Sequence, residues 1–316
     1  MAIPFTQLVA STYDDVVNEK NKAADQWSDS SFLKALEKLG GVKKISGGAK
    51  LQVTLDYKAN AAADFLLTDA TTTSTSKTEI LTAAEYSLIP LVVPVNWSFF
   101  DEAVNSEKNQ KVELVATIVD NAIASHDQAV EDAMFAATGG TDGFNTLLDL
   151  YTEDGTGTVG TIVSGTETWW KNQFKDWGTD TGATLLADYT TLYNACAKGS
   201  GGRKPNVIVG SGAMQANFEA ALTANQRFVS VEKASGGFTE LAFKTIPYIF
   251  SSECASANEN AFMFNTNDTK LYVVMSAWRQ RRKVQEHVNA AMSNMKIFSV
   301  CQIATRNRSR GGVIFS

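Results

Sequence analysis

A chain of 316 residues with 44% apolar side chains has material for one large or two modest domains, and that content excludes disorder of the whole chain. The formal charge of -6 leaves no global basic field to draw it onto nucleic acid or anionic lipid. The cysteines Cys196, Cys254 and Cys301 and the histidines His126 and His287 stand far apart. They give no disulfide framework and no zinc spacing, fit a reducing cytoplasm, and predict neither metal nor cofactor.

The opening residues carry no basic segment followed by an apolar one. No window approaches the roughly 20 apolar residues of a membrane span, so neither a targeting signal nor a membrane partner is expected. Residues 13–39 read as helical, with Ser30-Ser31 capping a short helix over 32–39 that stops at Gly40-Gly41. Residues 51–57 alternate apolar and polar, the period of a half-exposed strand. The run Thr71-Thr72-Thr73-Ser74-Thr75-Ser76 offers nothing to a core and reads as an exposed loop tip. A second extended run covers 80–98, where Pro90 and Pro94 exclude helix. Together the two runs predict a long two-stranded arm, which is marginal in isolation and needs another molecule to dock on.

Residues 101–137 give the strongest helix signal. Apolar residues recur at Val112, Val115, Ile118/Val119, Ala122/Ile123, Ala129/Val130 and Ala133/Met134, one face at the 3.6 period. The result is a rod of roughly 50 Å, packed on a sheet as a spine, because no strict heptad is present. Residues 141–168 read as loop, 185–198 as an amphipathic helix, and 205–210 as a short buried strand followed by a helix that Ser211 caps. Further strands are expected over 238–243, 247–250, 261–265, 270–275 and 296–306. The order is α+β without a regular βαβα alternation.

The candidate chemical motifs are thin. Gly210-Ser211-Gly212 follows a strand and precedes a helix, but Gln215 stands where a dinucleotide fingerprint needs its third glycine; a plain strand-to-helix turn is the simpler reading. His126 beside Asp127 has no Gly-x-Ser-x-Gly motif to activate, so a solvated or interface histidine is expected. Arg279-Gln280-Arg281-Arg282-Lys283 is the one dense basic run. It faces either nucleic acid or acidic residues of neighbouring subunits, and the acidic chain favours the second. Arg306, Arg308 and Arg310 carry the same ambiguity. Trp169 and Trp170 cannot share a helix face, so one is expected in the core and the other at a rim or contact.

The order of parts resembles the Hong Kong 97-type capsid fold of tailed phages. Trp169-Trp170-Lys171-Asn172-Gln173, Pro205-Asn206-Val207-Ile208-Val209-Gly210-Ser211, Gln226-Arg227-Phe228, the stretch 237–248 and the closing Arg306-Asn307-Arg308-Ser309-Arg310-Gly311-Gly312 are each similar in kind to segments of such subunits. The resemblance implies an α+β subunit with an N-terminal arm and short helix (1–45) and an E-loop hairpin (46–98). A peripheral domain with its spine helix (99–145), an axial domain (146–268) and closing peripheral strands (269–316) complete it. It implies a structural protein and no enzyme: a major head protein that self-assembles as pentamers and hexamers into an icosahedral shell. Its expected partners are copies of itself, a separate scaffolding protein, a portal protein and packaged DNA held without sequence-specific binding. Its expected location is the virion capsid, assembled in the host cytoplasm. An encapsulin-like compartment shell is the alternative in the same fold; an α/β nucleotide-binding enzyme and a DNA-binding protein are alternatives outside it. Lys58, Lys77, Trp169, Trp170, Arg279, Arg281 and Arg282 are the candidate intersubunit contacts.

Overall fold

The computed structural model describes residues 30–60, 79–104, 114–137, 143–178, 183–197, 204–222, 241–254, 260–286 and 290–315. Helix α1 (Ser31–Lys38) turns Phe32, Leu33 and Leu36 inward. It ends where expected: Gly40 takes a left-handed φ of 70° and Gly41 N donates to Leu36 O at 2.8 Å, the bond that closes a helix through glycine. Its start differs from expectation. Ser30 makes no side-chain cap bond and Ser31 Oγ donates away, to Phe250 O. A carboxylate from another helix replaces them, since Phe32 N and Leu33 N donate to Glu131 at 3.3 and 3.0 Å. Glu131 also accepts from Ser251 Oγ at 2.6 Å.

Strand β1 (Val42–Ile45) is followed by β2 (Lys50–Asp56) and β3 (Leu81–Ser87), which pair antiparallel from Lys50↔Ser87 to Asp56↔Leu81. This is the base of the expected arm, and it docks on the chain's own core. Val53, Leu55, Ala84 and Tyr86 are buried, and Tyr86 Oη donates to Thr305 O at 2.8 Å. The tip, Lys77 included, lies outside the described residues. The described pairing runs from Lys50–Asp56 to Leu81–Ser87. Strand β4 (Ile89–Ser98) leaves it to join the first main sheet. There, among the described residues, β4 pairs only with β15 (Met292–Thr305), and an edge strand tolerates Pro90 and Pro94, which lack a donor for a second neighbour.

The predicted rod appears as α2 (Phe99–Val104) and α3 (Leu114–Phe135); residues 105–113 lie outside the described set. Helix α3 packs on β4 and β15 through Val119 and Ala122 against Val95, Trp97, Met295 and Ile297. Residues 143–168, the described part of the expected loop 141–168, are more ordered than expected. Helix α4 (Leu147–Leu150) starts with a capping box of Thr146 and Asp149, and β5 (Thr158–Val159) pairs with β6 (Ile162–Val163).

The second six-stranded sheet has the order β7-β16-β11-β8-β10-β9: β7 is Gln173–Asp176, β8 Val207–Gly210, β9 Leu241–Phe243, β10 Ile246–Phe250, β11 Ala261–Phe264 and β16 Gly312–Phe315. Helices α5 (Ala183–Cys196) and α6 (Gly212–Ala221) cover it around Tyr189, Phe218 and Tyr248. Ser211 caps α6 as expected, accepting from Met214 N at 3.2 Å. The last strand crosses back. β16 runs parallel to β7 and antiparallel to β11, so the strands of 269–316 are shared between the two sheets.

Replacing Glu131 by Ala leaves two first-turn amides and a hydroxyl without their acceptor at a residue of 0% exposure. The expected cost is about 3 kcal/mol of unfolding free energy, read as a lower denaturant midpoint at unchanged slope. Ser30→Ala, a costly change at an ordinary cap, is expected to leave the midpoint within about 0.5 kcal/mol of the parent.

Candidate functional site

Among the described residues, buried polar clusters at His126 and Glu131 hold α1, α3 and the β15 region together and one at Arg308 ties the 150–164 region to β16; none of the three was legible as such in the sequence. The first is centred on His126, which is 0% exposed and neither solvated nor at an interface. Its Nδ1 lies 3.0 Å from Asp127 Oδ1, and its Nε2 lies 2.7 Å from Ser299 Oγ. An ionised carboxylate only accepts, which assigns the proton to Nδ1; Nε2 then accepts from the serine hydroxyl. Ser299 Oγ in turn accepts from Arg279 N at 2.8 Å. The Arg279 guanidinium closes the circuit, with Nε and Nη2 donating to the two Asp127 oxygens at 2.8 and 2.9 Å and Nη2 lying 3.1 Å from Glu37 Oε1. The imidazole meets the Trp278 ring nearly edge-on, centroids 5.2 Å apart.

Serine, histidine and aspartate in this order form the relay that activates a nucleophile. Here the serine side chain sits at 0% exposure between a strand and a helix and already accepts a backbone N–H. It has no face to offer a substrate, so the set works as a clamp between α3, β15 and the turn at Arg279, a residue with a left-handed φ of 51°. The signal for its burial was present: residues 122, 126 and 130 are each four apart, on the face that the apolar pattern had already marked.

The second cluster is Glu131, described above. The third is Arg308, which is 0% exposed and meets neutral acceptors. Its Nε donates to Leu150 O at 2.6 Å, Nη1 to Ser164 Oγ at 3.0 Å, and Nη2 to Thr152 Oγ1 and Thr156 O at 3.0 and 2.8 Å. It therefore ties the 150–164 region to the start of β16. The cysteines Cys196, Cys254 and Cys301 are buried thiols outside any disulfide. Burial, joined at Cys254 by the charge of Glu131, pushes the Cys254 thiol up to about 12, and burial alone does the same to Cys301; neither is poised as a nucleophile.

The turn at Gly210-Gly212 is filled by the protein itself. A Cβ on Gly210 would lie 2.2 Å from Tyr248 Oη, and one on Gly212 3.1 Å from the Phe250 ring. The glycines admit aromatic rings and leave no phosphate cradle.

Strand alternation divides the basic run. Arg279 and Arg281 sit opposite Ser299 and Ile297 and so face the spine side. Arg282 goes to the other face, its guanidinium 5.1 Å from the Phe298 ring. Arg281, Arg282 and Lys283 are exposed, on β13 (Gln280–Arg281) and just beyond it. The two tryptophans part as expected. Trp170 is 1% exposed and donates to Val159 O at 3.0 Å, which leaves its indole no surface. Trp169 is half-buried, 5.2 Å from the Tyr57 ring at the base of the arm, and donates to Glu167. Lys58 is exposed just after β2.

Burial pushes the Asp127 carboxyl up, but the hydrogen bonds from His126 and Arg279 and the guanidinium charge outweigh it and hold the carboxyl below its usual range. A lowered folded pKa contributes stability that is complete above the unfolded carboxylate value, about 3.9, and is lost as pH falls through the folded one. Asp127→Asn is therefore expected to cost about 2 kcal/mol at neutral pH. The gap between variant and parent should narrow as pH falls below 4, as read in parallel urea titrations across pH.

No family model matches the sequence, and none of the curated proteins does. Solved structures do match. The capsid subunit of cyanophage A-1(L) superposes with a TM-score of 0.65 at 14% identity, covering 98% of this chain and 97% of that one. The capsid subunit of the Myoviridae phage XM1 gives 0.61 at 13% identity, covering 100% and 99%. The encapsulin of the holo-SrpI complex from Synechococcus elongatus gives 0.60 at 10% identity, covering 99% and 95%. At these identities the likeness speaks for the fold, and it covers nearly the whole of both chains: the chain has the α+β Hong Kong 97-type capsid fold.

Proposed function

We propose that the chain is the major capsid protein of a tailed bacteriophage, a structural subunit and not an enzyme, which assembles as pentamers and hexamers into an icosahedral shell. The observation that carries this reading is the extent of the match. Phage capsid subunits superpose end to end on this chain, with no domain left over on either side. The burial of the Ser299–His126–Asp127 set and the filled glycine turn support the non-enzymatic part. In this reading a separate scaffolding protein and a portal protein complete the assembly. DNA fills the shell without being read in sequence, and the mature subunit resides in the virion after assembly in the host cytoplasm. Lys58, Lys77, Trp169, Arg281 and Arg282 are offered as contacts between copies. Trp170 and Arg279 support those surfaces from within, through the bonds they make inside the chain.

A compartment shell of the encapsulin kind is the second reading, favoured by the match to the Synechococcus elongatus shell over nearly the whole of both chains. Electron microscopy of the purified protein, with and without co-expressed neighbouring genes of its source, tests both. Closed particles that take up DNA with a portal present support the phage reading. Closed particles that capture a protein cargo and exclude DNA support the other. A chain that remains monomeric under all these conditions overturns both.

A further inference from the structure

At one end of the first sheet the chain displays two surfaces that complement each other and cannot meet within one copy. Strand β15 carries β4 along one edge and β13 and β14 (Gln285–Glu286) along the other. Both edges reach the same end, since Met292 pairs with Ser98 and Asn294 with Gln285. Helix α2 leaves from the β4 side as a ledge, with Phe100 70% and Val104 45% exposed and Asp101 in its first turn. The opposite edge presents exposed Arg281, Arg282 and Lys283, followed by Val284 at 44% exposure. Among the described residues Asp101 has no cation within ion-pair distance, and Arg281 and Lys283 have no carboxylate. A large exposed phenylalanine beside an unpaired acid, and an exposed valine beside unpaired cations, are complementary halves of a contact.

We infer that these are the two halves of a heterologous contact between copies: the Arg281–Val284 edge of one subunit docks on the Phe100–Val104 ledge of the next. Because the halves lie on opposite edges of the same strand, two strand spacings or about 10 Å apart across it and further apart along it, since Arg281 pairs at Ile297 and the ledge follows Ser98 opposite Met292, each copy offers one half to either neighbour. A head-to-tail contact of this kind closes into a ring when its rotation divides a full turn. The charges set the order of partners and the register; Phe100 and Val284 supply the apolar area. The inference rests on the shell reading and names a surface for it.

Charge exchange tests it. Asp101→Lys and the pair Arg281→Glu with Lys283→Glu alter side chains without an ion partner in the chain, so each variant should keep the parent's circular dichroism and melting curve. Each alone is expected to lower the particle yield in sedimentation velocity about tenfold, because like charges then face each other at every repeat of the contact. The chain carrying all three changes restores opposite signs and is expected to recover to within about twofold of the parent. Single variants that assemble like the parent overturn the contact, as does a triple variant that fails to recover while the parent forms shells. Normal shells from Arg281→Glu/Lys283→Glu, together with weakened salt-dependent binding of duplex DNA, overturn it in favour of a polyanion. A parent that never assembles overturns the shell reading and this contact with it.

Discussion

Strand β15 pairs along one edge with β4 over the whole span from Met292↔Ser98 to Cys301↔Ile89, and along the other with β12 (Thr269–Val274), β13 and β14. A slip of one residue in that register would turn Met295, Ile297, Ser299 and Ile303 away from the core and bring Lys296 into it, since side chains alternate between faces. The apolar contacts of α3 oppose such a slip but do not fix a single register, because neighbouring aliphatic residues can substitute for one another. The His126–Ser299 hydrogen bond is specific to one register, and Arg279 reads the same serine from the adjacent turn. The position of the basic edge, the ledge and the base of the arm all follow from that choice.

The three buried polar clusters differ in how they meet the cost of desolvation. Asp127 and Arg279 neutralise each other in a bidentate pair, the geometry in which an ion pair recovers most of what burial takes. Glu131 accepts from backbone amides at the start of α1, at the positive end of that helix, and from Ser251. Arg308 gives its hydrogen bonds to carbonyls and hydroxyls. An apolar replacement of any of them could be as stable in the isolated fold. What they supply is directionality, and the proposed shell subunit, whose edges would have to match those of its copies, has more use for a fixed shape than for extra stability.

Legibility in the sequence followed the range of the forces involved. The spine helix, the capped helix after Ser211, the glycine stop at Gly40-Gly41 and the parting of Trp169 from Trp170 are local matters of period, cap and face, and they read correctly. What failed depended on partners distant in sequence. Ser30 reads as a cap only until Glu131, 99 positions from Phe32, takes the amides. The segment 143–168 looks like loop because its Gly and Thr residues give no period, yet Arg308 holds it from far along the chain. β16 joins the second sheet because β7 and β11 leave a place between them, a fact that its own four residues do not encode.

The division of the basic run carries the same lesson to function. As a string, Arg279 to Lys283 reads as one patch with one role. On a strand at a sheet edge it becomes three environments: Arg279 bonded inside to Asp127, Arg281 open on the spine side, and Arg282 laid on Phe298 across the sheet. A single polyanion lying on one face would meet only part of it. A neighbouring subunit that embraces the edge meets Arg281, Arg282 and Lys283 together, whichever face each occupies. The alternation of the strand thus turns a composition-level ambiguity into a geometric preference for an edge-on partner, and an edge-on partner is what a closed shell of repeated subunits supplies.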